Sequence, residues 1–206
     1  MKLIALSLPI TMNMVVYKNR EEKKPAIENM RCFKDDGMNE NTLHLPLHTG
    51  THVDYPLHAI DGGKSSSDYD VFPAIFKGYV LDLSLDSHES IGLEHINNLD
   101  LSEVEAVFFK TRKGPMEFFD FEFPWLEKEG AAWLSRLPLK FVGIDQLGIE
   151  RNQPGHETHI SLLGRDILII EGLNLSEIEE GTHNFLAITL QIKDVEAEPA
   201  MLYKIL

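Results

Sequence analysis

Short apolar runs rich in β-forming residues restrict the fold of this chain more than any other feature. Seven such runs of four to eight residues are dominated by Val, Ile, Phe and Tyr, and they predict strands. They cover residues 2–8, 78–83, 106–111, 140–144, 167–170, 185–192 and 200–205. Two segments, 124–137 and 157–163, predict helices. We therefore expect an α/β protein with a mixed sheet and few covering helices.

Composition and charge indicate a soluble globular protein and exclude some kinds of partner. The 206 residues are 43% hydrophobic and 25% charged, which is typical of a soluble globule and predicts one domain over residues 1–206. Acidic residues outnumber basic ones 33 to 19, and the formal net charge is -14. Such a surface repels phosphate backbones and anionic lipids, so we expect neither a nucleic-acid nor a membrane partner.

The number of cysteines and the first residues of the chain indicate the cellular compartment in which the protein works. Cys32 is the only cysteine, so the chain cannot form an internal disulfide and has no Cys-rich metal motif. The apolar segment 3–16 follows Lys2 in the manner of a signal peptide, but Pro9 and Asn13 interrupt it and no small-residue cleavage site follows. The expected location is a reducing cytoplasm.

Histidines are concentrated in one segment of eleven residues. The sequence HTGTHVDYPLH at residues 48–58 contains His48, His52 and His58 together with Asp54. Imidazole and carboxylate groups are the ligands of Zn²⁺ and related ions. The alternative is an edge strand whose polar side chains face water. A metal site is the favoured interpretation of three histidines and one aspartate at this spacing.

The histidine segment must bend if it is to form one site. On an ideal strand the even spacing would place the four side chains on one face, but His48 and His58 would then be roughly 33 Å apart. Gly50 and Pro56 are the residues that would permit or set a bend.

Further ligands would have to come from elsewhere in the chain. His159 lies near the start of the predicted helix 157–163 and could point inward, whereas His156 fits an exposed turn. Glu171 ends an apolar strand and is either a solvated strand end or a ligand. The remaining histidines have no ligand-like neighbours and are assigned no role: His44, His88, His95 and His183.

The histidine segment resembles a known family. Residues 48–58 match the pattern H-x-G-T-H-x-D-x-P-x-H of the cyclase-like metal-dependent hydrolases, which include the bacterial kynurenine formamidases. The resemblance continues at residues 6–10, 124–134, 142–145, 159–163 and 170–173. It implies a swivelling β/β/α fold, with few helices covering a mixed sheet, that assembles as a homodimer or homotetramer.

The same resemblance implies a site with two divalent ions. His48, His52 and Asp54 would hold one ion, and Asp54 would bridge to a second ion held also by His159 and Glu171. Zn²⁺ is the expected metal, with Mn²⁺ as the alternative.

The resemblance gives His58 a different role, as the donor and acceptor of protons rather than a permanent ligand. Two cations beside one water lower its pKa from near 15.7 towards about 7, which suits hydrolysis of an amide, a formamide or a lactam. The chain has no Gly-x-Ser-x-Gly elbow of a serine hydrolase. We therefore expect a metal-dependent amidohydrolase like arylformamidase, which converts N-formyl-L-kynurenine to L-kynurenine and formate in tryptophan catabolism.

Two other functions remain open at this point. The same metals could serve a hydrolase of another small amide, lactam or cyclic imide, or the chain could bind metal without catalysis. Gly148 stands where the formamidases typically carry a serine, and this departure concerns the substrate more than the reaction. An aryl substrate needs an apolar wall, for which the chain offers Phe33, Phe72, Phe76 and Phe118 or Phe119.

Overall fold

The computed structural model describes residues 2–85 and 89–206, which form a mixed sheet with a few short helices. The strands are β1 (Leu3–Ala5), β2 (Ala26–Arg31), β3 (Glu40–His44), β4 (His52–Asp54), β5 (Ala74–Asp82), β6 (Ser90–Ile91), β7 (Ala106–Lys110), β8 (Trp125–Leu126), β9 (Phe141–Ile144), β10 (Leu168–Glu171), β11 (Gly181–Thr189) and β12 (Ala197–Ile205). The helices are α1 (Phe33–Asp36), α2 (Leu93–Ile96), α3 (Lys128–Leu134) and α4 (Glu157–Leu163). Short 3₁₀ turns lie at Tyr17–Asn19, Glu21–Lys23, Pro56–His58 and Ser66–Asp68.

The main sheet closes on itself. Its strand order is β1-β12-β11-β5-β7-β9-β10-β4, and β4 also pairs with β12. Seven strands therefore form a barrel-like ring, with β1 added at the edge of β12. The central strands β5, β7, β9 and β10 are parallel, whereas the other pairs are antiparallel. The prediction of a mixed α/β fold with few helices is confirmed.

The parallel strands β7, β9 and β10 are buried on both faces, as expected for parallel strands covered by other layers. In β7, Ala106 and Phe108 pack inside the ring, where side chains from all seven of its strands meet. Val107 and Phe109 point outward and pack against the apolar faces of α2, α3 and α4. This outer layer of helices matters for function because α4 lies over β10.

One predicted helix is shorter than expected. The segment 124–137 contains α3, but only Lys128–Leu134 is helical. Trp125–Leu126 pairs instead with Ser90–Ile91 as a small parallel sheet, so Pro124 does not begin the helix. The prediction for 157–163 is confirmed by the bounds of α4. No helix in the described ranges is long and apolar enough to cross a bilayer.

The hairpin formed by β2 and β3 was not predicted. Every residue of both strands is solvent-exposed, including Ile27 and Leu43, which face each other across the hairpin. A two-stranded sheet is marginally stable on its own. The hairpin is followed directly by the histidine segment.

Candidate metal centre

Two neighbouring strands, β4 and β10, provide the base of the site. They pair antiparallel, with His52 directly opposite Glu171. Because side chains alternate along a strand, His52 and Asp54 share one face of β4, and Val53 between them packs inside the ring. Both polar side chains therefore lie on the outer face of the sheet, on the side of α4.

The turn before β4 brings His48 to the same place. Gly50 has φ +71°, a left-handed conformation that suits glycine. The Thr51 hydroxyl donates a 2.6 Å hydrogen bond to the carbonyl of Gly172, which fixes the turn against the end of β10. Gly172 also has positive φ, and a Cβ there would collide with the backbone of Gly50.

A second bend follows β4. The 3₁₀ turn Pro56–His58 begins at proline and reverses the chain, so that the ring centroids of His48 and His58 are only 4.2 Å apart. The prediction that the segment bends at Gly50 and Pro56 is confirmed.

Helix α4 supplies the next candidate ligand. Nε2 of His159 lies 3.7 Å from Oδ2 of Asp54 and 3.7 Å from Oε1 of Glu171. Its ring is 5.4 Å from that of His58, centroid to centroid. The structure thus brings together all six residues that the sequence analysis assigned to one site.

The two oxygens of Asp54 face different sets of histidines. Oδ1 lies 3.0 Å from Nδ1 of His48 and 3.5 Å from Nε2 of His52, whereas Oδ2 faces His159. Glu171 is arranged in a similar way, since its Oε2 lies 3.5 Å from Nε2 of His52 and its Oε1 faces His159. A carboxylate with one oxygen toward each set has the geometry of a bridging ligand.

The chemistry of these groups fits divalent cations. Nε2 of His52 and both oxygens of Asp54 are buried without a hydrogen bond, which is costly for polar atoms unless another partner satisfies them. Ligand atoms about 2.1 Å from a tetrahedral Zn²⁺ lie roughly 3.4 Å from one another. The separations of 3.0 to 3.7 Å around Asp54 are close to this value.

Polar contacts behind the cluster orient the imidazoles. Nδ1 of His52 is 3.0 Å from the carbonyl of Gly50, which can only accept a hydrogen bond, so Nδ1 is the donor and Nε2 is directed toward the cluster. Nδ1 of His159 lies 3.1 Å from Oε1 of Glu150. Sequence reasoning missed Glu150, because no motif marks it and only the fold places it behind His159.

Charges within the cluster shift several pKa values. Burial would raise the pKa of Asp54, but the surrounding histidines hold it well below its ordinary value. Burial and the negative charge of Asp54 raise the pKa of Glu171. For His159, burial favours the neutral form, yet the carboxylates of Asp54, Glu150 and Glu171 outweigh burial and raise its pKa to about 10.

These shifts predict that metal binding releases protons. A histidine must be neutral to hold a metal, whereas His159 with a pKa of about 10 is protonated at pH 7 in protein stripped of metal. Metal affinity should therefore rise with pH, by about tenfold per unit for one released proton, until the pH passes that pKa. Calorimetric titration with Zn²⁺ in buffers of different ionisation enthalpy counts the protons. An affinity independent of pH between 6.5 and 8.5 would contradict this role for His159.

A cavity of about 750 Å³ opens above the cluster. Its floor includes His48, His52, His58, His159 and Glu171, and Gly148 also lines it. One wall is aromatic and consists of Tyr17, Phe119, Phe121 and Phe123. Tyr17 and Phe119 are in edge contact, with ring centroids 5.2 Å apart.

The sequence offered candidate phenylalanines for an aromatic wall without placing any of them at the site. Of the five phenylalanines proposed from sequence, only Phe119 lines the cavity. Phe72 and Phe76 pack in or against the core of the ring, and Phe33 and Phe118 are exposed elsewhere. The histidines without an assigned role, His44, His95 and His183, do not line the cavity, and His88 lies outside the described residues.

Known proteins resemble this chain in sequence and in fold. The sequence model of the family described as "Putative cyclase" matches residues 4–151. A protein of Bacillus cereus named kynurenine formamidase is 28% identical over 164 residues, which are 79% of this chain and 78% of that protein.

Solved structures extend the likeness to nearly the whole chain. One described as a potential metal-dependent hydrolase with cyclase activity is 33% identical, with a TM-score of 0.88 over 98% of this chain and 96% of the other. Isatin hydrolase A from Labrenzia aggregata shares the fold, with a TM-score of 0.80 at 17% identity over 99% of this chain and 93% of its own. The matched residues include the whole histidine segment, and the chain belongs to the cyclase family.

Proposed function

We propose that this protein is a metal-dependent amidohydrolase that cleaves the C–N bond of an aryl formamide. The observation that carries the proposal is the arrangement of Asp54, which lies buried beneath an open cavity with its two oxygens facing different sets of histidines. A structural metal site is closed to solvent, whereas a catalytic one keeps a position open for substrate or water.

Five side chains would hold two divalent ions, with Zn²⁺ the first choice and Mn²⁺ the alternative. His48, His52 and Asp54 would bind one ion, and Asp54 would share the second with His159 and Glu171. When bound, the ions supply Lewis acidity, which polarises an amide carbonyl and makes water acidic enough to attack at neutral pH. The unsatisfied buried atoms of His52 and Asp54 support this assignment.

His58 is suited to carry the proton. Surrounding protein atoms desolvate its ring and lower its pKa to about 4, although the side chain remains accessible from the cavity. It is therefore neutral at pH 7 and can accept a proton from the attacking water. The protonated ring can then donate that proton to the departing amine.

The proposed substrate is N-formyl-L-kynurenine, which gives L-kynurenine and formate. The relative named kynurenine formamidase supports this choice, as does the aromatic wall of the cavity, which suits an aryl ring. The second candidate is a lactam or cyclic imide, and the shared fold of isatin hydrolase favours it as the runner-up.

A steady-state assay of metal-replete protein separates these candidates. N-formyl-L-kynurenine, an unrelated aryl lactam and isatin would be compared at equal enzyme concentration. We expect the formamide to give the highest kcat/KM, within the usual range of about 10⁴–10⁸ M⁻¹s⁻¹. Much faster ring opening of isatin would assign the protein to the second candidate, and no turnover at all would favour a non-catalytic metal protein.

The proposal also covers the fold, the domain organisation, the cellular location and the oligomeric state. The ring of strands would be the swivelling β/β/α fold of the family, formed as one domain by residues 1–206, and the enzyme would act in the cytoplasm. It would assemble as a homodimer or homotetramer, which the exposed apolar pair Ile27 and Leu43 on the hairpin supports. Light scattering of the purified protein measures that state.

A further inference from the structure

The cavity contains positive charge that no carboxylate in the described chain neutralises. Its cationic lining residues are Lys18, Lys23 and Arg151. Arg151 is accounted for, since it forms a 2.7 Å ion pair with Glu122 and donates to the carbonyl of Phe123. Within residues 2–85 and 89–206, neither lysine has a carboxylate within 4.0 Å.

The carboxylates that line the cavity are already engaged. Glu122 pairs with Arg151, and Glu171 belongs to the proposed metal site. Glu150 contacts His159 and accepts a hydrogen bond from the backbone of Thr158. Lys18 and Lys23 are therefore the cationic groups of the cavity lining that are available to an anionic ligand.

Lys23 is the better placed of the two lysines. It ends the 3₁₀ turn Glu21–Lys23, and its carbonyl accepts a 2.6 Å hydrogen bond from the Thr49 hydroxyl, which anchors it next to His48. The side chain is half-buried, and its ammonium lies 5.8 Å from the centroid of the Tyr17 ring. An anion bound there would sit between the proposed metals and the aromatic wall.

The two neighbouring lysines provide contrast. The ammonium of Lys18 lies 5.1 Å from the centroid of the Tyr17 ring, so Lys18 can add positive charge to the cavity. Because its side chain is more exposed than that of Lys23, it is less firmly held. Lys24 follows Lys23 directly, yet it forms a 2.7 Å ion pair with Glu21 and does not line the cavity. Lys24 is therefore a matched control for Lys23.

We propose that Lys23 binds a carboxylate of the substrate and so selects aryl amides that carry a negative charge. This inference rests on the proposed function and extends it by naming the group that recognises the anionic end of the substrate. The aromatic wall would hold the ring while Lys23 holds the carboxylate, which places the scissile amide over the floor of the cavity. Lys23 is thus a positioning residue.

The test compares two formamides that differ in one group. N-formyl-L-kynurenine and its decarboxylated analogue would be assayed with wild type, Lys23→Met, Lys23→Arg and Lys24→Met. Loss of a charge-assisted contact should raise KM for the carboxylate substrate by about 10- to 100-fold in Lys23→Met, with kcat within about threefold. Lys23→Arg should restore most of the affinity, and Lys24→Met should match wild type. The decarboxylated analogue should respond to none of these changes.

Equal effects of Lys23→Met on both formamides, or no effect on either, would overturn the inference. If wild type hydrolyses neither formamide, the proposed function has failed, and a binding experiment still decides the role of Lys23. Calorimetry with 2-aminobenzoate and with aniline compares the same ring with and without a carboxylate. Lys23→Met should weaken binding of 2-aminobenzoate by about tenfold or more and leave that of aniline unchanged. Unchanged binding of 2-aminobenzoate would overturn the inference independently of activity.

Discussion

Replacing Asp54 with alanine is expected to abolish binding of both metal ions and to lower hydrolysis by about 10⁴-fold or more. Asp54 lies at the centre of the cluster, with Oδ1 facing His48 and His52 and Oδ2 facing His159. A bridging ligand serves both ions, so its loss removes a contact from each. The size of the effect follows from the rate enhancement of enzymes, commonly about 10⁶-fold or more, which here depends on the metals. Elemental analysis and a formate-release assay measure the two outcomes.

Asp61→Ala provides the control for this variant. Asp61 is an exposed carboxylate on the loop after the histidine segment, and it does not line the cavity. This variant should keep the metal content and activity of wild type. If Asp54→Ala retained two ions per chain, the bridging role would be wrong. Retention of one ion would place Asp54 on a single metal.

Replacing His58 with alanine is expected to leave the metals bound and to lower activity by about 10²–10⁴-fold, the usual contribution of a positioned acid–base group. The variant distinguishes a metal ligand from a proton carrier, and the structure alone does not, because ligand atoms of His48, Asp54 and His58 all lie within 4.8 Å of one another. By distance alone His58 could be a further ligand of the ion assigned to His48, His52 and Asp54. Its pKa of about 4 and its access to the cavity favour the role of proton carrier.

The metal content of the His58→Ala variant decides between these two roles. Loss of metal together with activity would make His58 a ligand, whereas full metal content with low activity supports proton transfer. His44→Ala is the matched control, since His44 is an exposed histidine on the hairpin that pairs with Glu28. That variant should retain both properties.

Local patterns in the sequence predicted the central strands and singled out the histidine segment, whereas His159 and Glu171 entered the ligand set through the family resemblance. The buried strands around Ala106–Lys110 and Phe141–Ile144 are nearly continuous apolar runs, and His52 and Asp54 are marked by their spacing. The hairpin strand Ala26–Arg31 was missed because all its residues are exposed, so no apolar alternation marks it.

Other features depend on tertiary contacts that a local pattern cannot reveal. Trp125–Leu126 has helical spacing with the residues that follow, but pairing with Ser90–Ile91 makes it a strand. Glu150 and Lys23 are ordinary charged residues in the sequence, and they become significant only because folding places them behind His159 and beside His48. For the same reason, the sequence could not show which aromatic residues line the cavity.

Removal and restoration of metal tests whether hydrolysis depends on the ions at the proposed site. Protein treated with a chelator and dialysed would be assayed for formate release from N-formyl-L-kynurenine, before and after addition of Zn²⁺ or Mn²⁺. We expect the stripped protein to be inactive and activity to rise with added metal until two ions are bound per chain. Undiminished formate release by protein that contains no metal would show that hydrolysis does not depend on these ions.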